Sequence, residues 1–172
     1  MIVVQSGRNE LPSDRVTFYC GTMIHREEGR VSRKIPATVA YVPQRRVNVP
    51  IVAWQDTHLL AWNPQRRCEA VSSKFQTFYE DGRLNYLSNG ENNGYPIICA
   101  LLEKQETCSG ENQLFQIREG SKPEDVIVRL KKIFEGDSSK PIYQNSGDRI
   151  YVPMSKFLEN APSVEVETST SN

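Results

Sequence analysis

Two spacings of apolar residues alternate along this chain, and each change of spacing marks an element. Arg15-Val16-Thr17-Phe18-Tyr19-Cys20 is rich in β-branched and aromatic residues and predicts a strand, with Gly21 ending it. Residues 23–34 carry Arg26, Glu27, Glu28, Arg30, Arg33 and Lys34 and read as an exposed loop. Thr38-Val39-Ala40-Tyr41-Val42 and residues 47–54 predict a hairpin around Pro43-Gln44-Arg45-Arg46. Pro50 has no amide donor, so its strand lies at an edge or is bulged there.

A helical period takes over at residue 64. Asn63 is a good N-cap and Pro64 suits the first helical position. Cys68, Val71, Phe75 and Phe78 then form one apolar stripe, which predicts a helix over residues 64–79 closed by Gly82. Leu84-Asn85-Tyr86-Leu87 reads as a strand. Asn89-Gly90 and Asn93-Gly94 are turn dipeptides that send the chain back into a strand over 95–102. Leu114-Phe115-Gln116-Ile117 predicts another strand. Ser121 and Glu124 form a capping box for a second helix over 123–135, whose buried face is Val126, Ile127, Leu130, Ile133 and Phe134. Ile142-Tyr143 and residues 149–152 flank a turn at 145–148, and a short helix is expected over 155–159.

The fold class this predicts is α+β, an antiparallel sheet of about five to seven strands packed by two amphipathic helices. Residues 1–14 are expected to be loose, 15–160 to form a single domain, and the Ser/Thr/Glu-rich residues 161–172 to be a disordered tail.

Composition narrows the function classes. A chain of 172 residues can bury one sizeable core, so disulfides would assist the fold rather than replace a core. Net charge is zero, but residues 1–86 hold 12 Lys/Arg against 8 Asp/Glu, and the second half is acidic by the same margin. That polarity is too mild for a dedicated nucleic-acid binder. Met1-Ile2-Val3-Val4 lacks the positive region and apolar length of an export signal, so none is expected within this chain. No window approaches the ~20 apolar residues of a membrane span.

Four cysteines, Cys20, Cys68, Cys99 and Cys108, occur without a CxxC pair, which disfavours zinc ribbons and thioredoxin-type redox sites. Four cysteines allow three pairings. Cys99 and Cys108 are close in sequence and suit a locally closed loop, which leaves Cys20 with Cys68. Disulfides are favoured because each cysteine sits at an element end, and four free buried thiols are the competing reading.

Several of these segments together resemble a known family. Arg15-Val16-Thr17-Phe18-Tyr19-Cys20-Gly21, Pro36-Ala37-Thr38-Val39, Pro50-Ile51-Val52-Ala53-Trp54, residues 64–71 with Phe75-Gln76-Thr77, Leu84-Asn85-Tyr86-Leu87, residues 93–100 and Ile150-Tyr151-Val152 are similar to the circadian oscillating protein domain of cyanobacteria. The resemblance covers about residues 15–158 and includes all four cysteine positions. It implies an exported or peripherally membrane-associated domain with paired cysteines and no established enzyme activity. The charged stretch 23–34 looks longer than is usual for it.

No reaction chemistry is legible. His25 and His58 are the only histidines and neither has a second ligand at metal-site spacing, so neither metal nor cofactor is expected. Asn89-Gly90-Glu91-Asn92-Asn93 offers oxygens to a cation but reads as a turn.

Two features suit a contact surface. Arg66 and Arg67 stand in the first helical turn, where cations oppose the macrodipole. A local acid or an aromatic ring can offset that cost, and so can an anion or a partner. The same Pro-Gln-Arg-Arg tetrapeptide brings Arg45 and Arg46 into a loop. Residues 54–62 carry Trp54, Leu59, Leu60 and Trp62, which either pack over the core or form an exposed apolar patch beside the arginines. The function expected is a non-enzymatic extracytoplasmic interaction module in the periplasm, thylakoid lumen or membrane periphery. Its expected partner is a protein or an anionic membrane surface. A carboxylate-based hydrolase and a soluble small-ligand or cation binder are the alternatives.

Overall fold

The computed structural model describes residues 15–54, 64–117 and 149–167. Their elements run β1 (Thr17–Glu27), β2 (Arg30–Val42), β3 (Val47–Ala53), α1 (Pro64–Glu80), β4 (Tyr86–Asn92), β5 (Tyr95–Leu101), β6 (Gln113–Gln116), β7 (Tyr151–Pro153) and α2 (Met154–Asn160). Every strand pairing is antiparallel. The strands divide into two sheets, β1-β2-β3 and β6-β5-β4-β7, where one sheet was expected. The helix expected over 123–135, the turn at 145–148 and the Asn63 cap lie outside the described residues.

Gly21 does not end β1, and residues 23–34 are not a loop. β1 runs on to Glu27 and pairs with β2 through Glu27↔Arg30. The tip is Glu28 (φ 54) and Gly29 (φ 80), two positive-φ residues that match the twist of a tight hairpin. Residues 25–34 of this hairpin are exposed throughout, so they form a charged two-stranded arm. β3 completes the sheet as its other edge. Pro50 faces Val39 beside the register shift at Thr38/Val39, the bulged edge position its missing donor requires.

Helix α1 crosses the first sheet and buries Cys68, Val71, Ser72 and Phe75. Phe75 stacks on Phe18 of β1 with ring centroids 5.6 Å apart. The helix ends as its glycine predicts. Arg83 N–H donates to Phe78 O, Gly82 N–H donates to Tyr79 O, and Gly82 takes φ +73. A buried polar chain joins α1 to the sheet: Trp54 Nε1 donates to Thr38 Oγ1 at 3.0 Å, and Thr38 Oγ1 lies 2.8 Å from Ser72 Oγ. One apolar core is shared by α1, both sheets and α2.

The second sheet is covered on both faces. Leu87, Ile98 and Ala100 point into the shared core, while Ile97, Cys99 and Leu101 form a smaller cluster against Tyr86, Cys108 and Tyr151. Its hairpin turns at Asn93-Gly94, as expected. Asn89-Gly90 is no turn but lies inside β4. Gly90 is needed there because a Cβ would stand 2.5 Å from the Cβ of Cys108. Asn89 Oδ1 instead accepts the Ile150 amide at 2.9 Å.

Residues 161–167, expected to begin the loose tail, are ordered against the first sheet. Val164 N–H donates to Asn48 O on β3, Ile24 N–H on β1 donates to Glu165 O, and Glu167 N–H donates to Thr22 O. A four-residue segment thus touches both edge strands of the first sheet, bridging it from β3 to β1.

Candidate interaction surface

All four cysteines are paired, Cys20 with Cys68 and Cys99 with Cys108. The first bond fastens β1 to α1 across 48 residues, and the second folds the loop after β5 back onto β4 across 9. These are the bonds of a chain matured in oxidising surroundings. Among the described residues no helix is long and apolar enough to cross a membrane.

The paired arginines do not meet. Arg45 and Arg46 sit on the β2–β3 turn, whereas Trp54 and Arg67 lie at the opposite end of β3. Seven extended residues separate the two ends, about 23 Å. Arg45 Nη1 donates to Leu158 O at 2.7 Å, a carbonyl in the last turn of α2 where a cation is favoured. Arg67 lies 4.9 Å from the Trp54 ring centroid and donates to Gln116 O. Stacking worth about 1 kcal/mol offsets a dipole penalty of about 0.3–1 kcal/mol, so an internal ring and carbonyl answer the helix-start cation. Trp54 itself is buried, edge-on to Phe115 at 5.2 Å, and serves the core. Arg46 and Arg66 are exposed. Leu59, Leu60 and Trp62 lie outside the described residues.

What the structure does bring together is the β1 edge, the arm and residues 164–167. An edge strand presents unpaired amides and carbonyls, and here the edge from Val16 to Ile24 is covered in three places. Val16 N–H donates to Tyr79 Oη at 3.2 Å and Phe18 N–H to Gln76 Oε1 at 2.7 Å, both on α1. Cys20 is bonded to α1 through Cys68. Thr22 and Ile24 are covered by the segment 164–167. Its side chains alternate. Val164 and Val166 are half-buried, while Glu165 and Glu167 are exposed. Arg26 grips Glu165 with Nε at 2.7 Å and Nη2 at 3.0 Å, and Lys34 Nζ meets Glu167 at 2.7 Å. The hydrogen bond and charge of Arg26 hold the Glu165 carboxyl below its usual range. A Cβ on Gly21 would come within 3.1 Å of Val166 and 2.9 Å of the Tyr19 ring, so the missing side chain makes the seat for Val166. Tyr19 is fixed in turn by donating to Asn48 Oδ1 at 2.7 Å.

The model of the family described as circadian oscillating protein COP23 matches residues 17–159. The chain belongs to that family. The COP23 match takes in the arm, both disulfides, all seven strands and all but the last residue of α2, and it stops before residues 164–167. No curated protein and no solved structure matches the chain.

A second cluster of charge on rings lies on the far side of the second sheet. Lys104 Nζ stands 5.6 Å from the Tyr86 ring and 5.4 Å from Tyr151, and Arg149 lies 5.2 Å from Tyr151. Arg149 also donates to Glu106 O, and Tyr151 Oη donates to Lys104 O, so this cluster fastens the disulfide loop to β7. His25 approaches one acid, Glu27, at 3.9 Å on the arm. Among the described residues no group of three or more His, Cys, Asp or Glu is placed to hold a metal ion.

The β1 edge site was missed by sequence reading, although one signal was present. Val164-Glu165-Val166-Glu167 alternates apolar and acidic residues with the period of a half-buried strand.

Proposed function

We propose that this COP23 domain is a non-enzymatic, extracytoplasmic interaction module that works against a protein partner or at the periphery of an anionic membrane. The observation that carries the reading is the arm. Ten consecutive residues, 25–34, are exposed on a paired hairpin mounted on a disulfide-fastened frame. They bury nothing in the core, so their strand order serves what lies outside it. Two disulfides support the extracytoplasmic part of the reading. Arg46 and Arg66 stay in the proposal as exposed secondary contacts, and Leu59, Leu60 and Trp62, which lie outside the described residues, stay in it with them. Arg45 and Arg67 support them from within.

A photo-reactive amino acid placed at Arg30 or Arg33 of the full chain tests this in cells of the native organism. A discrete cross-linked protein, or flotation of the purified chain with anionic vesicles that is lost on Arg30→Glu/Arg33→Glu, is the expected result. Absence of both at every arm position would sink the module reading.

A further inference from the structure

The site on the β1 edge can be read for the chemistry of what it holds. Its backbone offers one donor and one acceptor, Ile24 N–H and Thr22 C=O, spaced for an antiparallel strand. The Gly21 recess admits a β-branched side chain. Arg26 presents a guanidinium fork and Lys34 an ammonium, each taken by a carboxylate. The segment filling it reads Val-Glu-Val-Glu.

We propose that residues 22–24, flanked by Arg26 and Lys34, are a strand-docking site for a protein partner. The partner supplies an extended segment with acidic side chains at alternate positions and β-branched residues between them, and the chain's own residues 164–167 occupy the site in the free protein. This rests on the module reading and names its partner class.

Three observations favour an outside strand. The docking residues lie inside the family-matched range 17–159 and the occupant lies outside it, so the match takes in the site without its present filling. The hold is local and exposed: side chains on both sides of each ion pair are between 42% and 51% accessible, which leaves them open to competition. The Ile24 amide and the Thr22 carbonyl are met by backbone groups of the occupant, so the site recognises a second strand, which is the logic of strand addition and not of lipid binding.

The test uses the full chain with Glu165→Lys/Glu167→Lys, and separately with Val166→Asp, to free the site. The probe is a fluorescein-labelled peptide of residues 163–169, Ser-Val-Glu-Val-Glu-Thr-Ser. It should bind both variants at least about tenfold more tightly than the wild type, whose tethered segment competes at high effective concentration. Binding should fall about tenfold for the isomer Ser-Glu-Glu-Val-Val-Thr-Ser, which breaks the alternation, and should vanish when Arg26→Glu/Lys34→Glu is added. Amide exchange provides a readout on the backbone itself. Ile24 N–H should exchange faster in the freed variants and regain protection when the peptide is added. Equal binding of the two peptides, or an Ile24 amide left unprotected by saturating peptide, would overturn the proposal. A wild-type dimer with residues 164–167 seated on a second copy's β1 would overturn the claim of an outside partner. Arm cross-linking that persists when the peptide fails to dock would leave the module reading standing while this one falls.

Discussion

The two long hairpins share one turn and have opposite fates. Glu28-Gly29 at the tip of β1–β2 and Asn93-Gly94 at the tip of β4–β5 both place two consecutive residues at positive φ. Beyond the turns the resemblance ends. β5 buries side chains on both faces, and the Cys99–Cys108 bond holds a loop over one of them. Residues 25–34 of β1–β2 are exposed throughout, and Thr22 and Ile24 beside them are covered along one edge by residues 164–167. Turn chemistry fixes where a chain reverses. Burial decides whether the resulting ribbon supports the fold or is carried by it.

The largest effect expected from this contrast is at β5. Leu101 is 0% exposed and Val31 on the arm is 45% exposed. Leu101→Ala should cost about 2–5 kcal/mol in chemical denaturation, the range for a buried leucine. Val31→Ala should stay within about 0.5 kcal/mol. A similar loss at both positions would mean that the arm contributes to the core after all.

An intermediate effect is expected at Gly90. A methyl group there meets Cys108 Cβ at 2.5 Å, a carbon that the disulfide keeps from moving aside. Gly90→Ala should destabilise the protein by about 1–3 kcal/mol through overpacking. The loss should shrink when Cys108→Ser frees the loop, which a double-mutant cycle reads directly.

The smallest effect concerns pH and confines itself to the arm. Glu165 has its carboxyl pKa lowered in the folded protein by the Arg26 hydrogen bond. The stabilisation this brings is present above the unfolded value and is lost as pH falls through the folded one. Acid should therefore loosen residues 164–167 while β4–β5 holds. The Val166 methyl signals in NMR should move toward random-coil positions below the ordinary glutamate range, with those of Leu101 unchanged. Glu165→Gln should remove the pH dependence.

Local signals carried much of this architecture. The Pro64 start, the Cys68, Val71 and Phe75 positions and the Gly82 stop of α1 were legible because each depends on a few neighbouring residues. The Pro43–Arg46 and Asn93-Gly94 turns, and the Pro50 edge, were legible for the same reason. Glu28-Gly29 was not, because glutamate carries no preference for positive φ and its neighbours are all charged. Asn89-Gly90 misled because the glycine answers to Cys108, 18 residues away. The division into two sheets depends on pairings that no local pattern encodes. In the candidate site the two Arg-Arg pairs were visible, but the length of β3 that holds them apart became meaningful only once its direction was known. The partner of Arg26 is 139 residues downstream, beyond the reach of any window.

That separation has a consequence for the order of folding. The β1–β2 arm closes over a two-residue turn, whereas its edge cover must wait for residues 164–167. Loop-closure entropy rises with the logarithm of separation, and contacts this distant form late. On a ribosome the segment emerges after every strand of the sheet it covers. Until it arrives, Thr22 and Ile24 present an open strand edge to every neighbouring nascent chain. Arg26 and Lys34 then stand at that edge without Glu165 and Glu167, and charge at a bare strand edge disfavours its pairing with another strand during the interval.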